Sequence, residues 1–181
     1  MQSAKCTHDS SVSKQSAASA TPEDTFISIH VNGDYLSLPY SIQVADNWKH
    51  IIPWHISVDR GFRTADGKLM VGVGASRTQE DFTRLEDQLV ESFSQNTTVV
   101  PKIRNSTSFE IGGLIWKDIT LDVGQTTITQ VRYRVHSSHR GTIALISFLK
   151  KTTPDEDARI ERLIDRFFNS FELGDSGFRD R

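Results

Sequence analysis

Regular alternation of apolar and polar positions begins at Phe26. In "TFISIHV", Ile27, Ile29 and Val31 share one face, which is the period-two signature of a strand. Asn32-Gly33-Asp34 supplies turn chemistry and "YLSLPY" resumes the pattern, so the spacing predicts an N-terminal hairpin, with Pro39 confining it to an edge or a strand end. Trp48 falls in a loop, and "IIPWHISVDRGF" reads as a strand interrupted by Pro53. An Ala65-Asp66-Gly67 turn leads into "KLMVGVGAS", where Val71 and Val73 alternate with Gly72 and Gly74. The period then changes. Phe82, Leu85, Leu89 and Phe93 recur at helical spacing in "TQEDFTRLEDQLVESFSQ", with Thr78 as the expected N-cap and Glu80 and Asp81 in the first turn. A second helix has stronger punctuation. Thr153 caps it, Pro154 opens it, Glu156 completes a capping box, and Ile160, Leu163, Ile164, Phe167, Phe168 and Phe171 form its apolar face before Gly174 ends it.

Four candidate strands lie between the helices: "TTVVPKI", "SFEIGG", "LIWKDITLDV" together with "TITQVRYRVH", and "GTIALISFL". The last is apolar on both faces, as a central strand covered on both sides must be. Short connections favour antiparallel pairing. The order of elements predicts an α+β fold, an antiparallel β-sheet flanked by helices, over residues 25–174. Residues 1–24 carry almost no large apolar side chain and are expected to be a disordered tail, and residues 175–181 a short C-terminal one.

Composition narrows the function classes. The 181 residues suit one domain, and a net charge of -2 provides no general attraction for nucleic acid. No apolar run approaches the roughly 18 residues of a transmembrane helix. The single cysteine, Cys6, excludes an internal disulfide and a cysteine-based zinc site. The first residues contain no apolar segment of signal-peptide type, so the chain as written reads as cytoplasmic. A lone Cys6 before a Ser/Ala/Thr-rich stretch also fits a trimmed, periplasmic lipoprotein anchored at that residue, although Lys5 stands where a small residue is usual.

Candidate chemistry is sparse. Gly72-x-Gly74 lacks the third glycine and the Lys-Ser/Thr ending of a phosphate loop, so close packing over a strand is the better reading. If Gly124, Gln125 and Thr126 form a three-residue hairpin loop, Val123 faces Thr127, Ile119 faces Val131, Asp118 faces Arg132 and Trp116 faces Arg134. That register puts an ion pair and a cation–π contact on the polar face, either as structural pairs or as a partner-binding patch. His136, His139 and Arg140 occupy "HSSHRG", whose adjoining segment holds no further metal ligand; His30, His50 and His55 would have to come from elsewhere. Ser137 and Ser138 beside His136 give two members of a nucleophilic set without an orienting acid or a nucleophile elbow. No catalytic, cofactor or metal site is assigned. Asn96-Thr97-Thr98 and Asn105-Ser106-Thr107 match glycosylation sequons but read as turn chemistry. Trp48, Trp54 and Trp116 are expected in the core or as interface anchors.

The run "YLSLPYSIQVADNW", through Leu38, Pro39 and Trp48, resembles the opening of DcrB-like bacterial proteins, and "RIERLIDRFFNSFEL", ending in Ser170-Phe171, resembles their closing helix. The same order of elements lies between, so the resemblance spans about Phe26 to Leu173. It implies the architecture shared by DcrB, PsbP and Mog proteins, whose members are mostly non-enzymatic binders or assembly factors; some resemble accessory factors of type VI secretion effectors and others are envelope lipoproteins. The long N-terminal tail departs from the compact effector chaperones. The expected function is a non-catalytic, protein-binding accessory domain, with a secreted effector as one candidate partner, no cofactor, no nucleic acid and no transmembrane segment. His136, His139, Arg140, Trp116, Arg132 and Arg134 are the expected contact residues. A structural envelope lipoprotein and a hydrolase or metal-dependent enzyme using the His136/His139 loop are the alternatives.

Overall fold

A computed structural model describes residues 24–53, 58–95, 100–124 and 127–174. Its centre is β9 (Gly141–Lys150), whose side chains are buried on both faces up to Leu149, as the apolar run predicts. One neighbour is β5 (Leu69–Ser76), followed outward by β4 (Arg60–Arg63) and β3 (Lys49–Ile51). On the other side lie β8 (Ile128–Ser138), β7 (Leu114–Asp122) and, at the edge, β6 (Lys102–Ile111). Every pairing in this seven-stranded sheet is antiparallel. A second sheet of three strands joins β1 (Phe26–Val31), β2 (Tyr40–Ala45) and β10 (Glu172–Leu173).

Two apolar layers hold the sandwich together. Ile119, Leu121, Val131, Tyr133 and Ile146 meet Leu85 and Leu89 of α1 (Leu85–Ser94). On the opposite face, Val71, Val73, Ile143 and Leu145 meet α2 (Pro154–Asn169) and the small sheet's Tyr40, Ile42 and Val44. Phe167 and Ile164 are 0 % exposed at its centre, and each such apolar side chain contributes about 1.5–3 kcal/mol by burial. The result is the helix–sheet–helix α+β sandwich expected from the order of elements.

Several local expectations are corrected. β1 does pair with a following strand, but the partner is Tyr40–Ala45, with Phe26 opposite Ala45 and Val31 opposite Tyr40. Residues 32–39 form a longer connection, in which Asp34 Oδ1 accepts from the backbone N–H groups of Leu36 and Ser37, both at 2.7 Å. Leu38 N then donates to Ala75 O and Arg77 N to Leu36 O, so this segment attaches to the end of β5. Pro39 therefore stands immediately before the first residue of β2. Trp48 does lie in a loop, half-buried against Phe167.

Thr78 is not a helix cap. α1 begins seven residues later because Glu80 N donates to Thr142 Oγ1 at 2.8 Å and Glu80 O accepts from the Ser137 hydroxyl, which ties residues 77–84 to the large sheet. "TTVVPKI" and "SFEIGG" are not two strands: Lys102–Ile111 is continuous, and it contains the Asn105-Ser106-Thr107 segment read as a turn. "LIWKDITLDV" and "TITQVRYRVH" are two separate strands. The second helix opens at Thr153 as expected, with Thr153 N donating to Glu156 Oε2 at 3.0 Å, but it ends at Asn169, short of Gly174. Ser170 Oγ there accepts from Gln43 N at 2.9 Å and Phe171 stacks on Tyr40, which fastens the helix end to β2 and turns the chain into β10. The expectations for Cys6, Trp54, His55, Asn96-Thr97-Thr98 and both tails lie outside the described residues.

Candidate functional site

Two tight turns reach one end of the large sheet. Gly112 and Gly113 join β6 to β7 with φ of 61° and 76°, the left-handed pair that a two-residue hairpin turn of this hand requires. His139 and Arg140 join β8 to β9, flanked by the Ser138–Gly141 pair. β5 ends beside the second turn, and the approach is so close that a Cβ on Gly141 would stand 2.2 Å from Ser76 O. Residues 32–39 and the 77–84 strap close over the same end.

The strap separates two grooves. One, of about 540 Å³, runs between Phe82 of the strap and Ile115, Lys117 and Ser137 of the sheet. The other, of about 610 Å³, lies between the 32–37 segment and Asp59, Arg60 and Thr142. An exposed apolar side chain lines each of them, Ile115 at 68 % in the first and Leu36 at 59 % in the second; Tyr35 at 85 % adjoins Leu36 in sequence, and Ile111 at 55 % flanks the Gly112-Gly113 turn. Isolated exposed apolar residues are ordinary; apolar side chains lining grooves at the loop-built end of a rigid sheet are a common setting for contacts.

The six residues singled out from sequence divide between this end and the interior. His139 is exposed at the turn and Arg140 is half-buried beside it, with its backbone N–H on Ser138 Oγ at 3.3 Å. His136 is 6 % exposed; its Nδ1–H donates to Ile115 O at 2.8 Å and its ring lies 5.7 Å from that of Trp116. The two histidines thus occupy a buried strand and an open turn. His30 and His50 sit on strands of different sheets, and among the described residues no cluster of three or more His, Cys, Asp or Glu is placed to hold a metal. The Ser137 hydroxyl is committed to Glu80 O and the His136 Nδ1–H to Ile115 O, an arrangement that supports the strap and leaves the pair outside nucleophile–base geometry.

Trp116, Arg132 and Arg134 face α2. Arg132 Nε and Nη2 reach the two oxygens of Asp118 at 3.1 and 3.0 Å, and its Nη1 reaches Asp165 Oδ1 at 2.7 Å. Arg134 Nη2 joins Asp118 Oδ2 at 3.0 Å, and its Nη1 donates to Asn169 Oδ1 at 2.7 Å. The Arg134 guanidinium lies over Phe109 at 5.0 Å and Phe168 at 5.3 Å. Burial works against the charge of Arg132, but its hydrogen bonds to Asp118 and Asp165 outweigh that and hold its pKa above the ordinary value. Two guanidinium groups and two carboxylates balance, which lets the cluster persist under a helix.

The expected β7–β8 register is corrected by two residues: Asp118 faces Arg134 and Thr120 faces Arg132. Val123 N donates to Thr129 O, so the connection holds five residues rather than three, and a shift of two keeps every side chain on its predicted face. The cation–π partners of Arg134 are Phe109 and Phe168 rather than Trp116. Asp165 and Asn169, four apart on α2, were overlooked because the helix's apolar stripe dominates its pattern. Ile115 and Leu36 were overlooked because alternation assigns an apolar residue to a core whether or not anything covers it.

No protein-family model matches the chain, and no curated protein matches it. Among solved structures, the solution structure of cyanobacterial PsbP (CyanoP) from Synechocystis sp. PCC 6803 superposes with a TM-score of 0.60 at 13 % identity, covering 88 % of this chain and 98 % of that one. The crystal structure of Mog1p, a Ran-binding protein of Saccharomyces cerevisiae, superposes with a TM-score of 0.52 at 6 % identity, covering 86 % of this chain and 100 % of that one. At such identities it is the architecture that is shared, and the chain has a PsbP/Mog-like α+β fold.

Proposed function

We propose that this chain is a non-catalytic binding domain that holds a protein partner at the loop-built end of its sandwich. The observation that carries the reading is the exposure of Leu36 and Ile115, one in the lining of each groove, at the end of a rigid sheet. Mog1p, which has the same architecture, is described as Ran-binding, and a protein ligand is the kind of partner that reading favours here. His139 and Arg140 add polar contacts at the rim, while Trp116, Arg132, Arg134 and His136 act from beneath by fixing β7 and β8. An accessory or chaperone role toward a secreted effector is the specific form we favour, on the resemblance of the first and last segments to DcrB-like proteins.

The test is affinity capture from the source cells with the wild-type chain and with a Leu36→Ser/Ile115→Ser variant. Both substituted side chains are exposed, so thermal stability should hold. A specific protein recovered by the first and lost by the second supports the reading; equal recovery by both removes the loop end from consideration. The identity of the recovered protein decides between an effector and another partner.

A further inference from the structure

Strand β6 is the outer edge of the large sheet, and nine of its ten residues are exposed. The opposite edge, β3, has three residues and offers little to pair with. β6 has ten, and its defences are unevenly distributed. Pro101 precedes it, Lys102 opens it, and the register breaks between Ile103 and Asn105, which leaves Arg104 as the bulged residue. Proline, basic side chains and bulges are the usual devices against edge pairing, and here all of them guard one end. From Asn105 to Ile111 the strand has no proline, no basic residue and no bulge.

The two-residue turn determines which backbone groups of this stretch are free. Ile111 and Leu114 flank it and form a hydrogen-bonded pair, so alternation makes Phe109, Thr107 and Asn105 hydrogen-bonded to β7 as well. Ser106, Ser108 and Glu110 then direct their N–H and C=O groups away from the sheet. A fixed row of outward donors and acceptors is complementary to one kind of ligand, another extended strand.

We propose that this edge pairs antiparallel with the same edge of a second copy, Ser108 opposite Ser108 and Ser106 opposite Glu110 of the second copy. Of the two-fold registers available, this is the one that uses all three outward-facing residues of each chain. It sets Thr107 beside Phe109 of the second copy on the α2 side, brings no like charges opposite each other, and leaves Lys102 and Arg104 beyond the paired stretch. The two seven-stranded sheets become one continuous sheet. The paired segment is short, so association is weak and depends on concentration. The proposal is independent of the partner-binding role assigned to the loop end.

Sedimentation equilibrium of the full chain tests it. Ser108→Pro removes one outward N–H and leaves the β6–β7 hydrogen bonds intact, so it should abolish the dimer while circular dichroism is retained. In a Cys6→Ser background, Ser108→Cys should oxidise to a covalent dimer and Ser106→Cys should not, because the two Ser106 positions lie four residues apart across the axis; this readout stands even if the proline variant does not fold. A chain that stays monomeric into the millimolar range, a dimer that survives Ser108→Pro, or equal cross-linking at both cysteine positions overturns the proposal. Pairing instead with a strand of another protein would appear as a monomer whose partner is lost on Ser108→Pro, and that outcome also counts against self-pairing.

Discussion

Asp118 on β7 stands directly opposite Arg134 on β8, and Asp118 Oδ2 accepts from both Arg134 Nη2 and Arg132 Nη2 at 3.0 Å. The two arginines lie on one side of β8, and each also reaches α2, through Asp165 and Asn169. One carboxylate therefore bridges two cations beneath a helix, and Asp165 supplies the second negative charge. Asp118→Asn removes the charge and keeps the shape, leaving Arg134, only 8 % exposed, without its counter-ion. Chemical denaturation should show a loss of about 3–5 kcal/mol, the range for breaking one partner of a buried pair. Asp165→Asn, at a half-exposed position, should cost about 1 kcal/mol or less. Similar losses at both sites would show that Asp118 has no special place in the cluster.

A second prediction separates two glycines. Gly141 has a φ of 140° and its missing Cβ points at Ser76 O, whereas Gly112 has a φ of 61° with nothing within 4 Å of its missing Cβ. Asparagine tolerates the left-handed region but cannot relieve a clash with backbone. Gly112→Asn should be nearly neutral in thermal unfolding. Gly141→Asn should cost about 1–3 kcal/mol from its backbone conformation alone, with further loss from the contact, and should speed hydrogen exchange where β5 meets β9. Equal tolerance at both sites would mean that the β8–β9 turn does not press on β5.

Legibility from sequence followed the range of the interactions involved. α2 was readable because its cap, Pro154 and its apolar stripe all act within the helix, and β9 because an unbroken apolar run allows only a doubly covered strand. The face assignments of β7 and β8 survived a register error of two residues, since side-chain alternation has the same period. What escaped depends on distant partners. Thr78 has every local property of a cap, but the segment after it is held by Thr142 and Ser137, more than fifty residues away in sequence. Arg132 and Arg134 read as members of a polar face, and nothing local reveals that a helix covers that face. The exposure of Leu36 and Ile115 is equally hidden, because burial is not written into alternation.

The acid limb of the stability curve gives a third prediction. Lys68 hydrogen-bonds and pairs with Glu156, and the backbone N–H of Thr153 adds to this, holding the Glu156 carboxyl down at about 2 from an ordinary value of 4.5. A depressed carboxylate stabilises the folded state above its unfolded pKa, and that stabilisation is lost as pH falls toward the folded value. The wild-type melting temperature should therefore decline between pH 4.5 and about 2, and Glu156→Gln should flatten part of that decline. The remainder belongs to other depressed carboxylates such as Asp34 and Asp66. Because the Lys68–Glu156 pair is open to solvent, added salt should shrink the difference between the two proteins. A variant whose melting curve tracks the wild type at every pH would remove Glu156 from the acid response.

The strap at residues 77–84 carries the last prediction. Its sequence is that of a helical first turn, with Thr78 before acidic Glu80 and Asp81 and with Phe82 in phase with Leu85 and Leu89. The structure overrides this through the two bonds that engage the Glu80 backbone, from its N–H to Thr142 Oγ1 and to its carbonyl from the Ser137 hydroxyl. Thr142 is 2 % exposed, so Thr142→Val keeps the volume and leaves the Glu80 N–H without that acceptor, at a cost of about 1–3 kcal/mol. Combined with Ser137→Ala, the substitution frees both backbone groups to join the ladder that α1 begins at Leu85. Backbone chemical shifts of residues 79–84 should move toward helical values, and both grooves beside the strap should change shape with them. If those shifts stay where they are in the wild type, the strap is held by the packing of Phe82, and the helical signal around Thr78 is too weak to compete even when released.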